Sequence, residues 1–151
     1  MKKLLLLSFL MLLAAVPAAR AAEWLTDYGV ALRQAEMEGR PLLMLLHRPD
    51  LVQKVNFAAE EAADDELLKP YKLCKIDVST AYGRRVAAAF QATELPLTVI
   101  IDRTASVQIY RKTGAFQRDE WKTTLLTYRE GVRPVRRVVS QWSGSRAFCS
   151  T

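Results

Sequence analysis

With 151 residues, 22 basic against 16 acidic side chains, one histidine and two cysteines, the chain has room for one folded domain with a sizeable core. Its formal charge of +6 is lodged at the two ends. Lys2, Lys3 and Arg20 precede Ala22, four arginines and no acid follow Gly131, and residues 22–130 are left with 15 basic and 16 acidic groups. A near-neutral body with a basic tail argues against a dedicated nucleic-acid binder, which carries a basic face.

In chain order, Met1-Lys2-Lys3 gives a positive start and residues 4–15 are apolar apart from Ser8. Pro17 then breaks the run, and Ala19-Arg20-Ala21 sets small residues at both positions before a cut. This is the pattern of a secretory signal peptide over residues 1–21, with cleavage expected after Ala21. The apolar run is short of the roughly 20 residues that a bilayer-spanning helix needs. No later segment is long and apolar enough, so no transmembrane span is expected after cleavage.

Trp24, Tyr28, Ala31, Leu32 and Ala35 fall at i, i+4, i+7, i+8 and i+11, the stripe of an amphipathic helix. Thr26-Asp27 supplies an N-terminal cap and Glu38-Gly39-Arg40-Pro41 a stop. Residues 41–47 are a short apolar run bounded by turn residues, and they predict a buried central strand. Arg48-Pro49-Asp50 is a turn, and Leu51, Val55, Ala58 and Ala62 keep helical spacing after it. Asp64-Asp65-Glu66 starts a short helix that Pro70 ends. From Lys72 to Val78 the pattern alternates, with Cys74, Ile76 and Val78 on one face of a strand. Ser79-Thr80 leads into an Ala- and Arg-rich helix over residues 82–90, and residues 91–95 form a loop. Pro96 opens the run Leu97-Thr98-Val99-Ile100-Ile101, apolar or β-branched throughout, as expected of a strand covered on both faces. Asp102-Arg103 turn the chain into a hairpin partner over residues 106–112. Trp121, Leu125 and Tyr128 mark a last helix that Gly131 closes. Residues 132–151 are a basic tail rich in Ser, Gly and Arg, with Trp142 and Phe148 as its aromatic anchors.

The predicted order is therefore α, β, α, β, α, β, β, α. A parallel pair joined by a crossover helix, followed by an antiparallel hairpin, gives a mixed sheet with helices on both faces. Strand, helix, loop, proline, strand and hairpin in this sequence resemble the thioredoxin-like superfamily. The closest likeness is to a secreted thioredoxin-like domain that opens with a tryptophan, an alanine-containing helix and a Gly-x-Pro-apolar strand. Here these are Trp24, Ala31 and Ala35, and Gly39-Arg40-Pro41-Leu42. The resemblance covers residues 24–130 and implies an α/β three-layer sandwich over residues 22–131. It also implies a cis peptide bond before Pro96 and a peptide-binding groove beside it.

The family's redox chemistry uses two cysteines, two residues apart, at a helix N-terminus that favours thiolate. The matching stretch here, residues 47–54, contains no cysteine, and no Cys-x-x-Cys occurs anywhere. No catalytic residue is therefore assigned. The groove implied by the resemblance is made of His47, Pro49, Asp50, Leu51, Leu95 and Pro96. Cys74, among apolar strand neighbours, reads as a buried structural thiol. Cys149 near the end is expected to be exposed, and to pair with Cys74, with a second copy or with a small thiol. His47, the only histidine, lacks clustered ligands, so no metal is expected. No Gly-rich phosphate loop and no Gly-x-Ser-x-Gly occur, and no cofactor is expected. The reading is an exported, periplasmic or secreted protein that binds a protein or peptide partner in the cell envelope without turnover. The alternative is a thiol-disulfide oxidoreductase that uses Cys149 or Cys74 alone.

Overall fold

Asp27 sets the start of the first helix. Its backbone is extended, and its carboxylate accepts the Val30 N–H at 2.8 Å, which satisfies one of the helix's orphan donors. In a computed structural model of the chain, which describes residues 23–49 and 65–135, this helix is α1 (Tyr28–Glu38). Gly39 ends it in the left-handed region at φ 61°, a conformation that glycine adopts without a Cβ penalty. The signal peptide, the helix after Asp50 and the tail beyond Val135 lie outside the described residues.

Five strands follow the remaining runs: β1 (Trp24–Leu25), β2 (Leu42–His47), β3 (Lys72–Asp77), β4 (Leu97–Ile101) and β5 (Gln108–Thr113). Among the described residues, three more helices accompany them: α2 (Asp65–Leu68), α3 (Ala81–Ala89) and, after β5, α4 (Arg118–Tyr128). The sheet order is β1-β3-β2-β4-β5. β3 lies parallel to both β1 and β2, while β4 runs antiparallel to both β2 and β5.

Burial explains the layering. Along β2, Leu42, Met44 and Leu46 face one cluster with Ala31 and Ala35 of α1 and Val86 and Ala87 of α3. Leu43 faces the other, with Leu68 of α2 and Trp121 and Leu125 of α4. β4 divides in the same way, Leu97, Val99 and Ile101 against Ile100. All five β4 residues are buried, as the unbroken apolar run requires. The result is an α/β three-layer sandwich with a mixed central sheet and helices on both faces. Arg40 ties the layers at one end: its guanidinium donates to the Lys69 carbonyl at 2.5 Å, the Pro70 carbonyl at 3.3 Å and the Tyr71 carbonyl. On the α4 side, the buried Tyr71 hydroxyl donates to the Leu125 carbonyl at 2.6 Å.

Two expectations are corrected. Trp24 does not extend the α1 stripe; Trp24 and Leu25 pair with Leu73 and Cys74 as an edge strand. Capping by Asp27 forces the helix to begin after it, and a two-residue strand is too short to have a period of its own. The hairpin partner begins at Gln108 rather than Ser106. The Asp102 carboxylate accepts the Ser106 and Val107 N–H groups at 2.8 and 3.0 Å, which draws both residues into the turn.

Candidate functional site

The end of the sheet where β2 stops and β4 starts holds His47, Leu95 and Pro96 of the residues expected to line a groove. Leu46 pairs with Leu97 in the antiparallel register; continuing that register sets His47 across from Pro96. On its other side His47 pairs with Asp77, and its carbonyl accepts the Val78 N–H at 2.9 Å. The imidazole is half-buried and has interaction partners of its own. Pro49 is exposed at the chain's turn away from the sheet, while Asp50 and Leu51 lie outside the described residues.

Leu95 and Pro96 are joined by a cis peptide bond, and both are half-buried. The Leu95 side chain packs against the α1–α3 cluster. The Pro96 carbonyl accepts the Gly114 N–H at 2.8 Å, which fixes the start of β4 to the end of β5. The loop before Leu95 is held from the same side. The Arg111 guanidinium donates to the Phe90 carbonyl at 2.7 Å and to the Gln91 carbonyl at 2.9 Å, and Gln91 itself sits at φ 49°. Among the described residues, no hydrogen bond uses the backbone N–H or C=O of Leu95. The Leu95 main-chain groups sit in the chain just before the proline, and His47 lies opposite Pro96 in the extended register.

Beyond His47, the end of β3 meets α3 in a close approach. Thr80 caps α3, its hydroxyl accepting the Gly83 N–H at 2.9 Å and donating to the Asp77 carbonyl at 2.8 Å. A Cβ built on Gly83 would lie 1.9 Å from that same Asp77 oxygen and 2.9 Å from the Val78 Cα. Only glycine lets the helix sit this near the end of β3. Sequence reasoning missed both Gly83 and Arg111. Gly83 had a signal, since a glycine within a helical pattern is costly and marks a close approach. Arg111 had none, because a basic residue on an edge strand is common.

Cys74 is elsewhere. It pairs with Met44 in mid-sheet, three residues before the His47–Asp77 pair, so it lies about 10 Å back from the sheet end at the usual strand rise. It is a fully buried free thiol in the α1–α3 cluster. Burial first, and then the negative charge of Asp27, push its pKa up to about 12. The structure therefore does not bring Cys74 together with His47, Leu95 and Pro96, and Cys149 lies outside the described residues. Among the described residues, no three His, Cys, Asp or Glu side chains are grouped to hold a metal ion, and no helix is long and apolar enough to cross a membrane.

No family model and no curated protein matches the sequence. Solved structures do match its fold. A thioredoxin from Thermus thermophilus superposes with a TM-score of 0.55 at 19% identity, over 71% of this chain and 86% of that one. Thioredoxin O2 from Arabidopsis thaliana gives 0.56 at 10% identity, over 71% and 95%. The first thioredoxin domain of mouse protein disulfide-isomerase A4 gives 0.56 at 19% identity, over 83% and 89%. The fold is thioredoxin-like, as the order of elements in the sequence implied.

Proposed function

We propose that the chain is an exported thioredoxin-fold protein that holds an extended protein or peptide segment in the cell envelope and does not exchange disulfides. The observation that carries this reading is the placement of Cys74. Disulfide exchange needs an accessible thiolate. The stretch after β2 has no cysteine to supply one, and Cys74 is sealed in the core with its thiol held protonated. What the sheet end retains is recognition. An extended segment laid across it pairs its backbone with the Leu95 N–H and C=O, as in strand addition, and rests side chains on Pro96 and His47. Residues 1–21 support export, and the four arginines of residues 132–151 give the chain a basic handle for an acidic partner.

The test has two arms. Insulin reduction driven by dithiothreitol is expected at the uncatalysed rate. Turnover that disappears in the Cys74→Ser, Cys149→Ser double variant would instead establish the single-cysteine oxidoreductase. Peptides selected from a displayed random library are expected to shift the amide resonances of His47, Leu95 and Leu97. Selected peptides that bind while leaving those three amides unmoved would overturn the groove assignment.

A further inference from the structure

A second concave surface lies between the start of α1 and one face of α3. It is a groove of about 360 Å³, within the size range of small-molecule sites. Tyr82, Arg85, Val86, Ala89 and Phe90 reach it from α3 at i, i+3, i+4, i+7 and i+8, the spacing of one helix face. Asp27, Tyr28 and Gly29 close it from α1.

Its parts are of three kinds. The floor is apolar and rigid: the Tyr28 and Phe90 rings meet edge to face with centroids 5.2 Å apart, and Val86 and Ala89 extend that surface. Tyr82 is fixed through its hydroxyl, which accepts the Tyr28 N–H at 2.8 Å and so keeps its own hydrogen for another acceptor. Two opposite charges stand on the rim. The Asp27 carboxylate uses one oxygen to cap Val30 and has no ion pair among the described residues. Arg85 is exposed and likewise has none. The two side chains line the same groove without pairing with each other.

The geometry points to a binding site for a free apolar α-amino acid. Its ammonium group answers the Asp27 carboxylate, its carboxylate answers Arg85 and the Tyr82 hydroxyl, and its side chain covers Phe90, Val86 and Ala89. A simple acid meets repulsion from Asp27, and a simple amine meets it from Arg85. A zwitterion satisfies both charges at once. The groove is open, so with about a dozen heavy atoms at a modest contribution per atom the dissociation constant is expected in the millimolar range.

The experiment is an amide-resonance titration of the folded protein with three probes. L-phenylalanine carries both charges, 3-phenylpropionate lacks the amine, and phenethylamine lacks the carboxylate. L-phenylalanine is expected to shift residues 27–30 and 82–90 saturably, at least tenfold tighter than either single-charge probe. Arg85→Gln is expected to weaken L-phenylalanine about tenfold and to tighten phenethylamine, whose repulsion from Arg85 it removes. Asp27→Asn keeps the helix cap and is expected to weaken L-phenylalanine about tenfold while tightening 3-phenylpropionate, whose repulsion from Asp27 it removes. Absence of saturable shifts in the millimolar range, or equal affinity for all three probes, would overturn the assignment. Peptide binding at the sheet end is read separately, from the amides of His47, Leu95 and Leu97.

Discussion

Replacing Gly83 with alanine tests how the sheet end is built. The added Cβ would start 1.9 Å from the Asp77 carbonyl oxygen, 2.6 Å from its carbon and 2.9 Å from the Val78 Cα. A relaxed carbon–oxygen contact is about 3.3 Å, so α3 must retreat from β3 by more than ~1 Å. All three obstacles are backbone, and no rotamer change relieves them. Overpacking of this kind costs about 1–3 kcal/mol, and rigid neighbours place Gly83→Ala at the upper end. Alanine's advantage over glycine within a helix returns at most about 1 kcal/mol. The net loss is therefore about 2 kcal/mol, a fall of about 6–9 °C in Tm for a domain of this size. Gly29→Ala is the control: its Cβ would meet only the Asp27 Oδ1 at 3.3 Å and the Arg33 Nη1 at 3.5 Å, both side-chain atoms. It should leave Tm unchanged or raise it. Thermal unfolding followed by circular dichroism reads both variants. Amide shifts in Gly83→Ala should be largest at His47 and Val78, which share the displaced corner. A Gly83→Ala protein as stable as Gly29→Ala would refute the close approach, and with it the account of how α3 packs on the end of β3.

Three further outcomes are expected. Tyr71→Phe removes the buried hydroxyl that serves the Leu125 carbonyl and should cost about 1–2 kcal/mol in urea unfolding, with an unchanged m value. Cys74 should resist iodoacetamide in the native protein at pH 8 and react on denaturation, because at a pKa of about 12 its thiolate is three to four orders of magnitude scarcer than that of a free cysteine; rapid native labelling of Cys74 would reopen single-cysteine chemistry. Acid should destabilise the fold through Glu38, Asp102 and Glu120. The hydrogen bond from Lys72 holds Glu38 below the usual carboxylate range against partial burial, with Arg40 adding to it, and the hydrogen bond from Lys112 does the same for Glu120. At Asp102 burial pushes upward, but bonds from Thr104, Ser106 and Val107 outweigh it. Folded values lie below unfolded ones, so this stability is present above about pH 4 and is lost as pH falls through the folded values. Tm measured from pH 6 to 2.5 should drop steeply at the low end, and the Glu38→Gln, Asp102→Asn, Glu120→Gln triple variant should flatten that slope.

Much of the fold was legible because its signals are local. The uninterrupted run from Leu97 to Ile101 has only one physical explanation in a chain of this polarity: a strand covered on both sides, and it is buried throughout. The caps at Asp27 and Thr80 and the left-handed Gly39 could each be read from residue type and place. What escaped were features whose cause is distant in sequence. Trp24 looks helical when read forward into Tyr28, and only the presence of β3 some fifty residues later makes it a strand. Arg111 looks like an edge charge until its guanidinium is seen on the Phe90 and Gln91 carbonyls.

The same distinction separates the two surfaces. The sheet-end surface was expected from the family resemblance, whose carriers, Pro96 and the stretch after β2, are local in sequence. The α1–α3 groove was not, since its charges, Asp27 and Arg85, belong to different helices and mean little apart. Arg84 and Arg85 read alike in sequence as one solvated pair. In the fold Arg84 donates to the Ser79 carbonyl at 2.5 Å and closes its own helix start, while Arg85, about 100° further round the helix, reaches the groove. Adjacent, identical residues thus acquire separate roles from helical geometry alone. Exchanging Arg84 for glutamine should therefore leave L-phenylalanine affinity where it is, whereas the same exchange at Arg85 should not.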